Sequence, residues 1–394
     1  MTQRESFLRH VAQTSQSPLM IEVERAEGCF LYAPDGKRYL DLISGIGVSN
    51  VGHCAPEVVA AVQAQAARYM HTMVYGEFVL TPQVELATLL SEQLGSGLDS
   101  VYFVNSGSEA VEGALKLAKK FTGRQGIVAM NRSYHGSTHG ALSVTGAEGL
   151  KAGYGPFLPG VRFCDFGSPE AVEAINAETA AIILEPIQGE AGVRVGEEAW
   201  LRAVRQRCNE TGALLIFDEI QSGFGRTGTL FAWERFGIKP DILLMAKGMG
   251  GGMPIGAFVS RREVMQVLTH DPVLGHITTF GGHPVSCAAS LAALRKILNE
   301  RLMDRVPALE AIIREELSGP GVLGLRGRGL LFAAEVGSFD RVLRVIARCL
   351  EGGVLTDWFL HCDTAIRIAP PLVISEDDLR MGLQVLAKAI QAEA

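Results

Sequence analysis

Four polar groups stand directly behind short apolar runs, and their types suit a site for covalent and acid–base chemistry. Asn105 with Ser106-Gly107-Ser108 follows 101-VYFV, Glu185 follows 180-AAIIL, Asp218 follows 213-ALLIF, and Lys247 comes shortly after 242-ILLM. A lysine between an apolar strand and a glycine-rich loop is desolvated, which favours a neutral amine able to attack a carbonyl and form a Schiff base. Taken alone, a lysine at a strand end is more often a solvated charge. Asp218, at the edge of a buried sheet, needs a cationic or hydrogen-bonded partner. A protonated pyridine nitrogen is one such partner; the other reading is an aspartate that caps a neighbouring loop. Ser106-Gly107-Ser108 opens a helix after a strand, where unpaired N–H groups and the helix dipole make an anion site suited to a phosphate. An isolated Ser-Gly-Ser is also an ordinary helix cap.

These positions need elements to hold them. The runs 101-VYFV, 126-GIVAM, 180-AAIIL, 213-ALLIF, 242-ILLM and 256-GAFV read as buried parallel strands. Helical patterns lie between several of them, from about Ser108 to Phe121 and from about Glu198 to Thr211. Strands alternating with helices predict an α/β body with an open sheet covered on both faces, and ligands bind such sheets beyond the carboxyl ends of the strands. The last hundred residues read differently. They carry a helical pattern around 288–303, strands near 330-LLFAAEV and 365-AIRI, and a terminal helix opened by Ser375 with Glu376, Asp377 and Asp378 in its first turn. The expected organisation is an N-terminal segment 1–50 with a hairpin at Asp35-Gly36 that packs on the small domain, a large domain 51–287, and a small α+β domain 288–394.

Composition narrows the function classes. The 394 residues, 47% hydrophobic and 20% charged, can bury a large core without staples. A net charge of −7 supplies no global positive field, so neither nucleic acid nor an anionic membrane is an expected partner. No apolar run is long enough to span a bilayer, since Lys247 interrupts the greasiest stretch, and the N-terminus does not build a signal peptide; a cytoplasmic protein is expected. Seven cysteines without a C-x-x-C pair fit neither a disulfide framework nor a zinc cluster, so no metal is expected. A nucleotide-dependent dehydrogenase would show G-x-G-x-x-G directly after its first strand, and no such motif stands in that context.

Six motifs stand in a fixed order: 105-NSGSEA, 133-SYHG, 185-EPIQGE, 218-DEIQSGFGRTG, 246-AKGMGGGMPIGA and 278-TTFGGHP. With them the chain, over nearly its whole length, resembles the class III aminotransferases. These are pyridoxal-phosphate enzymes of fold type I that include acetylornithine, ornithine and 4-aminobutyrate aminotransferases. The resemblance implies an α/β fold type I architecture: a large domain with a mostly parallel central sheet covered by helices, and a smaller α+β domain. It implies pyridoxal 5'-phosphate as cofactor and a homodimer with active sites at the subunit interface. The implied reaction moves an amino group, such as the ω-amine of acetylornithine or ornithine or of a related amine, to a 2-oxo acid such as 2-oxoglutarate or pyruvate. A racemase or aminomutase on the same scaffold is the alternative.

Carried over by residue, the resemblance makes Lys247 the Schiff-base lysine and acid/base, and Asp218 the partner of the ring N–H. Ser106, Gly107 and Ser108 become the phosphate cup, Tyr134 beside His135 the stacking aromatic, and Ile220 the opposite wall. Gln221 is similar to the glutamine on the ring's phenolic oxygen, and Glu185 to the polar group that positions this network. Thr279 is implied to reach the phosphate of the neighbouring subunit. Arg367 resembles the receiver of a substrate carboxylate, and Glu190 its switching partner. The chain also departs from the pattern. Ser137 stands where acetylornithine enzymes carry an arginine, and Ile46 where ornithine aminotransferase has a tyrosine. Tyr75 and Glu77 are expected to line the entrance and select the amine.

Overall fold

The computed structural model describes residues 2–393. Among them a seven-stranded sheet forms the centre, in the order Ser100–Val104, Gly256–Ser260, Ile242–Met245, Leu214–Asp218, Thr179–Leu184, Gly126–Met130, Val161–Cys164. The five strands from Ile242–Met245 to Val161–Cys164 run parallel. Their apolar runs are continuous because both faces are covered. Leu214 and Ile216 point into one hydrophobic cluster, while Leu215 and Phe217 point into the other.

One expectation is corrected here. The strand Gly256–Ser260 is antiparallel to both of its neighbours, Ile242–Met245 and Ser100–Val104. The chain returns from Met245 to Gly256 through a single 3-10 turn, Lys247–Gly250, too short a connection for the helical crossover that a parallel strand needs. The sequence reading also passed over Val161–Cys164, an edge strand whose run is broken by exposed Arg162.

The helix Gly107–Thr122 begins at N-cap Ser106, whose side chain accepts from Glu109 N, and ends at Gly123 in the left-handed conformation. Its apolar face, with Val111, Ala114 and Ala118, is buried against the sheet. The helix Glu198–Thr211 covers the other face through Leu201, Val204 and Cys208. Among the described residues, no helix is long and apolar enough to cross a membrane.

The hairpin Phe30–Tyr32/Arg38–Asp41 shares a sheet with Val354–Leu355, so the two ends of the chain meet there. A further sheet, in the order Gly324–Arg328, Leu331–Glu335, Cys362–Ile368, Trp358–Phe359, carries Arg367. The helix Pro284–Asn299 packs on the helices Pro56–Arg68 and Thr81–Leu94 and runs through position 288 unbroken. The terminal helix Glu376–Ala392 is capped by Ser375, which accepts from Asp378 N.

Candidate active site

The carboxyl ends of five strands converge on one cavity of about 440 Å³. Ser106, Gly107 and Ser108 form one wall, where among the described residues the N–H groups of Gly107 and Ser108, at the start of a 16-residue helix, have no acceptor and can meet an anion. The approach here is close. A Cβ at Gly107 would lie 2.7 Å from Ile220 Cδ1, and one at Gly136 would lie 2.0 Å from Ser108 Oγ. Ile220 and Tyr134 both line the cavity.

Asp218 ends its strand buried, with Oδ1 accepting from Ile220 N at 3.0 Å and Oδ2 paired with His135 Nδ1 at 2.7 Å. His135 is buried too, and its Nε2 has no hydrogen-bond partner among the described residues. Glu185 accepts from Tyr134 N at 3.2 Å and Gly189 N at 3.1 Å, which ties the tyrosine to the turn that precedes Glu190. Burial pushes the Glu185 carboxyl up to about 7; His135 opposes that shift and Asp218 adds to it.

Lys247 opens its 3-10 turn with φ +48°, a left-handed conformation that a side-chain-bearing residue adopts only when its surroundings enforce it. The half-buried lysine lines the cavity, and desolvation lowers its pKa below the usual lysine value. Glu190, Asp218 and Glu185 oppose that shift and Arg367 reinforces it.

Glu190 and Arg367 form a bidentate pair at 2.7 and 2.9 Å, and both are almost fully buried. Although burial raises the Glu190 carboxyl, Arg367 outweighs it and holds the group at about 2. Arg367 also donates to Asp357 Oδ1 at 2.9 Å and to Trp358 O at 3.1 Å, with its guanidinium 4.4 Å from the centre of the Phe359 ring. Gln221 Nε2 donates weakly to Glu190 Oε1 at 3.4 Å. Arg367 therefore stands one residue behind the cavity wall, reached through Glu190.

Two expected residues lie elsewhere. Tyr75 and Glu77 line a separate groove with Tyr102 and His276. Thr279 is exposed and does not line the cavity; its neighbour Thr278 accepts from Asn105 Nδ2 at 2.9 Å. Ser137 sits at the rim with its Oγ 3.3 Å from the Tyr134 hydroxyl. Asp357, the second carboxylate on Arg367, was missed in the sequence. Its signal was an acidic residue inside the apolar stretch 354-VLTDWF.

The donor set fits pyridoxal phosphate: an anion cradle with hydroxyls, a buried carboxylate across from it, an amine of lowered basicity, and close-packed glycines where the cofactor's edges would lie. Comparison with known proteins agrees. The aminotransferase class-III family model matches residues 11–390. The acetylornithine aminotransferase of Methanosarcina mazei is 41% identical over 97% of this chain and 94% of its own length. The acetylornithine aminotransferase of Bacillus subtilis is 38% identical over 94% and 95%. Among solved structures, an ornithine aminotransferase from Toxoplasma gondii superposes with a TM-score of 0.91 at 33% identity, covering 100% of this chain and 96% of that one. A second structure of that enzyme is described with partial occupancy of PLP at the active site. The chain belongs to the class-III aminotransferases and is a pyridoxal-phosphate enzyme.

Proposed function

We propose that the protein is a transaminase that takes the ω-amine of an amino acid, of the acetylornithine or ornithine type, and passes the nitrogen to a 2-oxo acid. The observation that carries this reading is the placement of a desolvated amine, Lys247, in one cavity with Glu190 at its wall and Arg367 paired to Glu190 from behind. When bound, pyridoxal phosphate supplies an aldehyde and an electron-accepting ring. Lys247 Nζ, poised to lose its proton because burial disfavours the ammonium, would be the amine that holds the aldehyde with loss of water, and the base that would move the proton at the amine-bearing carbon. Asp218, held by Ile220 N–H and His135, would keep a proton at the ring nitrogen. The helix start at Ser106–Ser108 would hold the phosphate. Ile220 and Tyr134 would confine the ring, Gln221 would reach its oxygen, and Glu185 fixes the backbone of Tyr134.

Arg367 is suited to a substrate carboxylate by its planar fork, but Glu190 occupies that fork. With Glu190 in place the site admits an ω-amine end. With Glu190 turned away it admits the carboxylate of the 2-oxo acid. Ser137 offers no charge where acetylornithine enzymes carry an arginine, so the far end of the donor is met without that fork.

The proposed assembly is a homodimer in which Thr279 reaches the partner's phosphate. In support, Thr279 is exposed, and in the same stretch of chain Val273, Leu274, Ile277 and Phe280 are exposed apolar residues. The seven cysteines are all unpaired, which fits the reducing cytoplasm.

A donor-by-acceptor screen of the cofactor-loaded enzyme tests the reading. Stoichiometric transfer from ω-amino acids to 2-oxoglutarate or pyruvate is expected. Inversion or isomerisation of the amino compound without net transfer would instead assign a racemase or aminomutase.

A further inference from the structure

Arg226 is fully buried, and among the described residues its guanidinium meets no carboxylate. Nη1 donates to Leu330 O at 3.1 Å and to Pro370 O, Nη2 donates to Asn50 Oδ1, and Nε has no partner. Burial lowers its pKa to about 10, with Asp41 opposing, so it is cationic at neutral pH. Burying a guanidinium among carbonyls without a counter-charge is unfavourable in itself. What it achieves is geometric, because one planar fork holds three chain segments at fixed mutual angles.

Asn50 extends the cluster. Its Nδ2 donates to Phe224 O at 2.9 Å, and its backbone O accepts from Leu372 N at 2.8 Å. The same amide lies against the lysine turn, since a Cβ at Gly248 would sit 2.5 Å from Asn50 Nδ2. One buried cluster thus touches the residue after Lys247, the segment that follows Gln221, and the chain just past the Arg367 strand. Neither side chain lines the cavity.

We propose that Arg226 and Asn50 are positioning residues that fix the distance between the lysine turn and the Arg367 strand. This rests on the roles of Lys247 and Arg367 given above. A substrate whose carboxylate meets Arg367 while its reacting carbon meets Lys247 must span that distance. Loosening the cluster therefore weakens productive binding of two-ended substrates and leaves the reacting groups themselves intact.

The test uses cofactor-loaded Arg226→Lys and Asn50→Ala enzymes with the best 2-oxo acid acceptor. In each, KM rises about tenfold while kcat falls less than about threefold, the signature of misplacement and not of lost chemistry. Gly248→Ala, which drives a methyl into the Asn50 amide, loses about tenfold or more in kcat/KM, and Asn50→Ala added to it restores part of that loss. A cluster that only stabilises the fold would lower the active fraction, so kcat would fall with KM unchanged. That result, or no change in either constant, overturns the inference. Should Arg226→Lys fail to fold, Asn50→Ala and the Gly248 rescue decide. Arg367→Lys is run alongside. If it leaves KM unchanged, the reading of Arg367 fails and takes this inference with it. If KM rises there but in neither cluster variant, only the inference is overturned.

Discussion

The two halves of the site treat charge in opposite ways. Around Asp218, His135 and Glu185 the carboxylates are held only by backbone N–H groups and His135, with no arginine fork: among the described residues His135 Nε2 is buried without a partner, and Glu185 is pushed up to about 7. Around Arg367 every strong donor is engaged, by Glu190, Asp357 and Trp358. An under-satisfied half is ready to receive a charged ring, while a saturated half must open before a carboxylate can enter. On the proposed reading, the difference separates a preformed binding site from a switch.

Asp218→Asn should break the preformed half. Without a carboxylate to hold the ring proton, kcat should fall by about 10²–10³-fold in stopped-flow half-reactions. Retention of wild-type kcat would show that another group holds that proton. Glu190→Gln should break the switch. The variant no longer competes for Arg367 with full charge, so KM for the 2-oxo acid should drop about tenfold while the donor half-reaction slows. Equal changes in both half-reactions would remove Glu190 from the switching role. Ser137→Arg sharpens the comparison from the rim. It should raise kcat/KM for donors bearing an α-carboxylate by about threefold, the size of one exposed ion pair, and an unchanged donor ranking would place that carboxylate elsewhere.

The two glutamates also predict opposite pH dependences. Glu185 keeps its proton up to about 7 when folded and loses it near 4.5 when unfolded. The folded state then binds more protons between those values, so stability falls as pH rises through that window. Glu185→Gln removes this titration. In cofactor-free protein, the variant's Tm relative to wild type should move upward by a few degrees between pH 5 and pH 8, and a constant difference would contradict the assignment. Glu190, held at about 2, runs the other way: its contribution is complete above its ordinary value of 4.5 and is lost as pH falls towards 2.

Much of the preformed half was legible in the sequence, because buried strands print as apolar runs and the residue after each run lies at the sheet's carboxyl edge. Asp218, Glu185 and Lys247 were found that way. Strand direction was not legible: 256-GAFV looks the same parallel or antiparallel, and only the length of the Met245–Gly256 connection distinguishes them. The His135–Asp218 hydrogen bond joins residues 83 positions apart, which no local pattern reveals. Arg226 lay inside a quoted motif, yet its burial without a counter-charge follows from the meeting of Asn50, Leu330 and Pro370 and leaves no periodic trace.

The central claim is that Lys247 carries the cofactor, and borohydride reduction of the loaded enzyme followed by peptide mapping tests it most directly. The account predicts a single reduced pyridoxyl label on the peptide containing Lys247, absent from Lys247→Ala together with the visible absorbance. A label on another lysine, or visible absorbance that survives in Lys247→Ala, would contradict it.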